Sequence, residues 1–289
     1  MRQYVGLDVA MDETKVHVLD GDGKRVWRGK CHSHPDDIEA AWALDGVTGI
    51  NELSLGLHGS DAQWFVARID AHLRSLLPGA RELHSVMSGL VDRLIDDLAH
   101  ISLPDNYDPP AACIAAICRI GTKWQAVRLG DCRLLAEDAK GFHRIVEFPN
   151  DDFDHWVTAE AVRLRAEGMS NLKDIAQTLQ PSLFADRRRR NRPGGYGVIE
   201  ANRACLAFAE YMPLADPTAV LLTSDGFFRL VDHYGETTES ELLRRAVADR
   251  GVSTLYDTLR RIEQSDPDCR KFPRLKPKDD ASAIALTAA

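Results

Sequence analysis

The sequence predicts an α+β fold, in which a β-sandwich is flanked by helices and preceded by an atypical three-stranded segment. Apolar and polar residues alternate in short segments near the front, as in residues 15–18, and alternation at every second residue is typical of strands. From residue 40 onward, a pair of helical patterns lies between strand patterns, followed by further strands, helices and a closing strand. This order favours a layered sandwich over a regular strand–helix–strand repeat.

The N-terminal segment contains three predicted strands, at residues 3–9, 14–19 and 25–29. Gly21 and Gly23 lie between the last two strands. Because glycine readily adopts positive φ angles, this connection is predicted to be a tight hairpin turn.

The chain between residues 35 and 99 is predicted to be mainly helical. Pro35 precedes an acidic first turn, which is typical of a helix N-terminus, so a short helix is expected over residues 36–43 and a turn over residues 45–49. Residues 61–77 and 81–99 carry apolar residues at helical spacing, and both are therefore predicted to be amphipathic helices.

The second half of the chain returns to strands before it ends in helices. Residues 111–120 and 124–129 are apolar and flank Gly121, which predicts a buried β-hairpin, and a further strand follows Gly130. The polar segment 150–200 is predicted to be helical, with arginines 187–190 on a solvated face. The remaining predicted elements are a strand at 220–223, helices at about 227–232, 238–250 and 253–264, and a closing strand at 281–286.

Composition and apolar patterning disfavour several classes of protein. The net charge is −8, from 44 acidic and 36 basic residues, which disfavours a nucleic-acid partner. The chain has no apolar run at its start, and its longest apolar stretch, residues 111–117, is too short to cross a membrane. Six cysteines without a CxxC pair are expected to be thiols. A cytoplasmic protein is therefore expected, with no membrane partner and an oligomeric state left open.

Three acidic positions share one local pattern. Asp45 and Asp225 each follow a short apolar run and precede a glycine, and Asp279 precedes the closing strand. A single Asp-Gly pair is most often only a turn signal. Three such acids at the ends of apolar segments, however, can meet at one rim of a sheet, where carboxylate oxygens bind hard divalent cations.

Four motifs occur in a recognisable order. They are Asp45-Gly46-Val47-Thr48-Gly49, Gly130-Asp131-Cys132-Arg133, an apolar strand before Ser224-Asp225-Gly226, and Asp279-Asp280-Ala281-Ser282. In this order and with this spacing, the chain from about residue 42 to residue 289 resembles the PPM-type (type 2C) metal-dependent protein phosphatases.

The resemblance implies a role for each matching residue. Asp45 would bridge two metal ions and Gly46 would contribute its carbonyl oxygen, while Asp225 and Asp279 would complete the shell of the first metal. Asp131 would lie near a third, weaker metal position. The ions would be Mn²⁺ or Mg²⁺, and the reaction would be hydrolysis of a phosphomonoester by a metal-bridged water. No catalytic side chain and no organic cofactor can be assigned.

The chain also departs from the family pattern. The family usually has a further aspartate four residues after the position of Asp225, where this chain has Arg229. Asp232 would substitute only if its helix turned it inward. Cys132 stands where the family has serine, and only the acids at residues 36–37 correspond to an early Glu-Asp pair.

The front of the chain resembles a different family. The run Tyr4-Val5-Gly6-Leu7-Asp8-Val9-Ala10 and the residues after it, to about 42, look like the start of DEDD-type insertion-sequence transposases. In that family the acid matching Asp8 is a metal ligand, but the other acids of the site lie in sequence that this chain does not contain. Since a lone acid cannot assemble two-metal nuclease chemistry, residues 1–41 are interpreted as a transposase-like segment and residues 42–289 as the phosphatase-like domain.

Together these patterns predict a metal-dependent serine/threonine protein phosphatase, whose partner is a phosphorylated protein. The first alternative is a catalytically impaired PPM-like protein that binds a partner or regulates it. The second alternative is a fragmentary transposase that acts on DNA, which the acidic charge and the short match disfavour.

Overall fold

The computed structural model describes residues 3–10, 13–20, 25–32, 40–47, 54–56, 60–105, 107–144 and 151–287, the first three ranges by their backbone alone. These residues form two β-sheets packed face to face and covered by helices, which confirms the predicted α+β class. None of the helices in these ranges combines the length and the apolar character that crossing a membrane requires.

The strands of the described residues are β1 (Gln3–Ala10), β2 (Glu13–Asp20), β3 (Arg25–His32), β4 (Ala40–Val47), β5 (Ala111–Ile120), β6 (Lys123–Leu129), β7 (Arg133–Asp138), β8 (Gly141–Arg144), β9 (Glu210–Leu214), β10 (Ala219–Thr223) and β11 (Ala283–Thr287). The helices are α1 (Asp61–Leu76), α2 (Leu83–Ala99), α3 (Asp151–Ala166), α4 (Leu172–Arg187), α5 (Asp225–Asp232), α6 (Glu239–Ala246) and α7 (Gly251–Ser265), with a 3₁₀ turn at Arg203–Phe208.

The first sheet has the strand order β3-β2-β1-β11-β10-β7-β8, and the second has the order β4-β5-β6-β9. Neighbouring strands are antiparallel, except that β1 runs parallel to β11, with Gly6 opposite Ala283. The three N-terminal strands are therefore present as predicted, and they extend the first sheet beyond β11.

Alternation along β4 shows how the sandwich is filled. Ala41 and Ala43 pack between the two sheets, together with side chains of β5, β7, β10 and β11, whereas Trp42 faces the helices on the outside. Side chains two residues apart share a face of a strand. Asp45 therefore continues the inward-facing row of β4 toward the rim of the sandwich.

Helices cover both outer faces. α1 and α2 pack on the second sheet, with Phe65, Ile69 and Leu90 fully buried. α5, α6 and α7 pack on the first sheet in the same way. α3 and α4 pack mainly against each other, around Ile175 and Leu179. Each helix thus buries one apolar stripe, as expected for amphipathic helices at a surface.

Three predictions about local structure are wrong. Residues 188–200, expected to be helical, form turns and an isolated bridge after α4 ends. Residues 40–43, expected to end a helix, belong to β4, and so do residues 45–47, expected to form a turn. The remainder of those two segments, residues 36–39 and 48–49, lies outside the described residues. Strand pairing with the long apolar β5 outweighs the local helix signal, because Trp42 and Leu44 gain burial against the helices.

The arginine run 187–190 is only partly solvated. Arg188 and Arg189 are exposed as predicted, but the Arg190 side chain is buried and lies 2.5 Å from Asp108 and 3.1 Å from Glu200. A buried guanidinium requires such carboxylate partners, so Arg190 has a structural role that the composition of the run did not indicate.

Candidate metal centre

Asp45 lies near the C-terminal end of β4, directly opposite Cys113 of β5. The next residue, Gly46, packs closely against α1. A Cβ at that position would lie 3.2 Å from the Ala62 Cβ and 3.3 Å from a methyl group of Val66. The glycine therefore lets the end of β4, and Asp45 with it, lie close to the start of α1.

Asp131 reaches the same region through the turn between β6 and β7. Gly130 has a φ of 96°, and a Cβ there would lie 2.3 Å from the Cys113 sulfur. Only glycine fits both the backbone angle and this contact. The turn thus packs directly on β5, and the Cys113 thiol forms a hydrogen bond with the Asp131 carboxylate.

Asp225 is the first residue of α5 and follows β10 after a single serine. The Ser224 amide donates to the Ser282 carbonyl oxygen at 3.0 Å, and the Ser282 amide donates to the Ser224 hydroxyl oxygen at 3.0 Å. These two bonds hold the start of α5 against the segment that precedes β11. A Cβ at Gly226 would lie 1.8 Å from the Asp280 carbonyl oxygen, so glycine permits this approach.

Three motif aspartates from separate elements meet here. The Asp45 and Asp225 side chains share a hydrogen bond, and burial, together with the charges of Asp225, Asp131 and Asp279, raises the pKa of Asp45 well above its ordinary value. Burial and the nearby Asp225 charge raise the pKa of Asp131 to about 6. Mutual repulsion of this kind is relieved when a proton or a cation lies between the carboxylates.

One oxygen of this cluster has no protein donor among the described residues. Asp131 Oδ1 is buried and forms no hydrogen bond there. A buried carboxylate oxygen without a donor is costly in a folded protein. Its presence beside Asp45 and Asp225 fits a hard cation or a cation-bound water, both of which are suited to carboxylate ligands.

Asp279 lies at the edge of the same cluster but is held differently. Its Oδ2 lies 2.7 Å from the Arg229 guanidinium, and its Oδ1 pairs with Lys276 and accepts the Asp280 amide at 2.9 Å. Burial alone would raise the pKa of Asp279, but the charges of Arg229 and Lys276 lower it below its ordinary value. Both of its oxygens are therefore already neutralised by the chain itself.

Helix α7 fixes the backbone of Asp279. Arg260 donates to the Asp279 carbonyl oxygen at 2.8 Å, and the Asp279 amide donates to the Glu263 carboxylate at 3.3 Å. Arg260 and Glu263 also pair with each other. The sequence prediction missed this support, because neither residue belongs to a motif.

The structure thus places the predicted ligands in two groups. Asp45, Asp131 and Asp225 are neighbours. The Asp279 side chain instead forms ion pairs with Arg229 and Lys276. Within the described part of the chain, no group of three or more His, Cys, Asp or Glu side chains has an arrangement ready to hold a metal ion. Asp232, the candidate replacement for the aspartate that the chain lacks, is exposed. The Asp8 side chain and residues 36–37 lie outside the described residues.

Arg229 lies at the candidate metal centre, although in the sequence it stood only as a departure from the family pattern and had no assigned role. It lies four residues after Asp225 on α5, and residues at that spacing share one helix face. Burial would lower its pKa, but the charges of Asp279 and Asp225 raise it above its ordinary value. The spacing alone was a usable signal that this guanidinium points toward the acidic cluster.

Of the comparisons with known proteins, only the search of solved structures found similar chains. A scan of protein-family models gave no match, and neither did a search of curated proteins. The PPM Ser-Thr phosphatase MsPP from Mycobacterium smegmatis is 13% identical, with a TM-score of 0.46, and the match covers 87% of this chain and 99% of that one. The serine/threonine phosphatase PstP/Ppp of Mycobacterium tuberculosis is 12% identical, with a TM-score of 0.45 and coverages of 87% and 100%. Similarity at this level carries no functional argument, so the proposal below rests on the motifs and on the acidic cluster.

Proposed function

We propose that the chain hydrolyses phosphoserine and phosphothreonine esters in proteins, at a Mn²⁺ or Mg²⁺ centre held by Asp45 and Asp225 with Asp131 beside them. The observation that carries the proposal is the meeting of these three aspartates, which belong to three motifs far apart in the sequence. The hydrogen bond between Asp45 and Asp225, together with the raised pKa values of Asp45 and Asp131, is the electrostatic signature of a cluster suited to a cation.

The chain's own residues would have separate tasks. A divalent cation, when bound, supplies a water of lowered pKa and neutralises phosphoryl oxygens. Asp45 and Asp225 would give up the proton they share and act as ligands, and the Gly46 carbonyl oxygen would lie next to them. Asp131 Oδ1, which has no donor in the described structure, would accept a hydrogen bond from the attacking water and keep it aligned.

The division of the chain belongs to the same proposal. Residues 42–289 would form the catalytic domain, and residues 1–41 would be a transposase-like segment whose strands serve as part of the first sheet. The pairing of β1 with β11 supports the part of this proposal in which the front strands extend the first sheet. The family resemblance implies a phosphorylated protein as partner, and the composition is the basis for proposing a cytoplasmic location.

A second candidate function is favoured by one specific contact. The ion pair between Arg229 and Asp279 occupies an acid that the family resemblance assigns to a metal shell. A protein with such a centre could bind a phosphorylated partner or regulate it without turning it over. The two functions differ in whether added metal produces hydrolysis.

The test is hydrolysis of p-nitrophenyl phosphate by the full chain, with and without Mn²⁺. We expect hydrolysis that depends on Mn²⁺ and is lost in Asp225→Asn. The matched control is Asp249→Asn, the same substitution at an exposed position, which should keep full activity. Absence of Mn²⁺-dependent hydrolysis in the folded protein would favour the binding function over the enzyme.

A further inference from the structure

We infer that Arg229 is a built-in cation that takes the place of a metal ion at Asp279, so that Asp279 is an ion-pair partner and not a metal ligand in this chain. The inference refines the proposed function and rests on it for the identity of the centre. It concerns the number of ions that the centre holds.

The contacts of Asp279 are the first support. Its Oδ2 is 2.7 Å from Arg229, and the Asp279 side chain is only 9% exposed. Its Oδ1 pairs with Lys276 and accepts a backbone amide. A metal ion would have to displace at least one of these cations, because every oxygen of the carboxylate already has a positively charged partner.

The position of Arg229 is the second support. Its side chain is 20% exposed, so its charge is largely removed from solvent and acts strongly on the acids around it. It projects from the same short helix that begins with Asp225, which fixes its distance from the cluster. A guanidinium cannot be deprotonated at ordinary pH, so this positive charge is permanent.

The contrast with Asp131 is the third support. Asp131 Oδ1 is buried without a hydrogen-bond donor in the described residues, whereas Asp279 has donors at both oxygens. The acidic cluster is therefore divided into a part that still requires a cation, at Asp45, Asp131 and Asp225, and a part that the chain has already neutralised.

The experiment counts Mn²⁺ ions bound per full chain by isothermal titration calorimetry. We expect Arg229→Gln to bind one more Mn²⁺ ion than the unchanged protein, because Asp279 is then released toward the centre. The matched control is Arg244→Gln on α6, which removes an exposed arginine with a surface partner and should leave the number unchanged. Circular dichroism of each variant verifies that the fold is intact.

A second variant keeps the inference falsifiable if Arg229→Gln does not fold. Asp279→Asn should leave the number of bound Mn²⁺ ions the same as in the unchanged protein, because the residue is not a ligand. Loss of an ion in Asp279→Asn, or an equal number in folded Arg229→Gln and the unchanged protein, would overturn the inference. The proposed function is judged separately, by Mn²⁺ binding and hydrolysis in the unchanged protein, so the two failures can be told apart.

Discussion

At the level of single residues, Gly226 determines how closely the start of α5 approaches the segment before β11. A Cβ there would lie 1.8 Å from the Asp280 carbonyl oxygen, and a backbone atom cannot move aside as a flexible side chain can. We expect Gly226→Ala to lower the free energy of unfolding by about 2 to 4 kcal/mol and to weaken Mn²⁺ binding through Asp225. Urea unfolding and calorimetry measure the two effects.

A glycine in a helix interior provides the control. Gly89 lies inside α2, and its added Cβ would meet only the end of the Leu76 side chain, at 3.3 Å. Gly89→Ala should change stability by less than about 1 kcal/mol, with a tendency to stabilise, since alanine favours helices. Equal effects of the two substitutions would show that the close approach at Gly226 is not what matters.

Asp131 gives the acidic cluster a defined pH dependence. Its pKa in the folded chain is raised from 3.8 to about 6, by burial first and by Asp225 second. The folded chain therefore binds this proton more tightly than the unfolded chain does. The resulting contribution to stability is fully present below pH 3.8 and is lost as the pH rises through about 6.

We therefore expect the melting temperature of the metal-free protein to fall as the pH rises from about 4 to about 7, and we expect Asp131→Asn to make that decrease smaller. Mn²⁺ binding should strengthen over the same range, because a cation competes with the proton for the carboxylate. Thermal melts with a chelator and titrations at several pH values measure both trends. Mn²⁺ affinity that does not change across pH 6 would contradict the assignment of Asp131 to the centre.

At the level of elements, the segment between α7 and β11 holds Asp279 in position. Asp266 accepts the backbone amides of Arg270, Lys271 and Phe272 and pairs with the buried Arg274 at 2.7 Å. Burial alone would raise the pKa of Asp266, but these donors lower it to about 2. One carboxylate thus organises a loop that has no regular secondary structure.

Asp266→Asn should destabilise the protein by about 3 kcal/mol or more, because it removes the carboxylate that balances the charge of the buried Arg274. The stability that Asp266 contributes is present above pH 3.8 and is lost as the pH falls toward about 2. Urea unfolding at neutral and at acid pH tests both statements. Glu241→Gln, which breaks an exposed pair with Arg244, should leave the unfolding midpoint unchanged; an equally large effect there would contradict the argument from burial.

Elements with strong periodicity could be predicted from the sequence, and short elements at sheet edges could not. α1 and β5 agree with their predictions because each carries an unbroken pattern. β9 was missed because it contains Pro213, which is tolerated only where a strand lies at the edge of its sheet. β4 was misassigned because Pro35 and the acids after it outweighed the alternation of its short apolar run.

The candidate centre could likewise be predicted only in part. The motifs identified Asp45, Asp131 and Asp225, and the structure brings these side chains together. The state of Asp279 was not predictable from the motif that contains it, because its partners Arg229 and Lys276 lie outside the motif and one of them is on another element. Motif order indicates which acids approach one another, whereas local charge determines which of them remain without a cation.

At the level of the whole molecule, the N-terminal strands belong to the same sheet as β10, the strand that leads into the acidic cluster. β1 pairs with β11, and β11 pairs with β10, which leads into Asp225. The junction between β1 and β11 is a single registered pair of residues, whereas β10 and β11 share five. The strands that lead into the centre are therefore joined to each other far more extensively than the front strands are joined to them.

We propose that the cluster of Asp45, Asp131 and Asp225 makes this chain a metal-dependent protein phosphatase. The most direct measurement is release of phosphate from a phosphothreonine peptide as Mn²⁺ is added to the metal-free full chain. We expect no release without metal, release that saturates with Mn²⁺, and loss of release in Asp225→Asn but not in Asp249→Asn. Release that persists with a chelator, or that is equal in the two variants, would contradict a metal-dependent activity at this cluster.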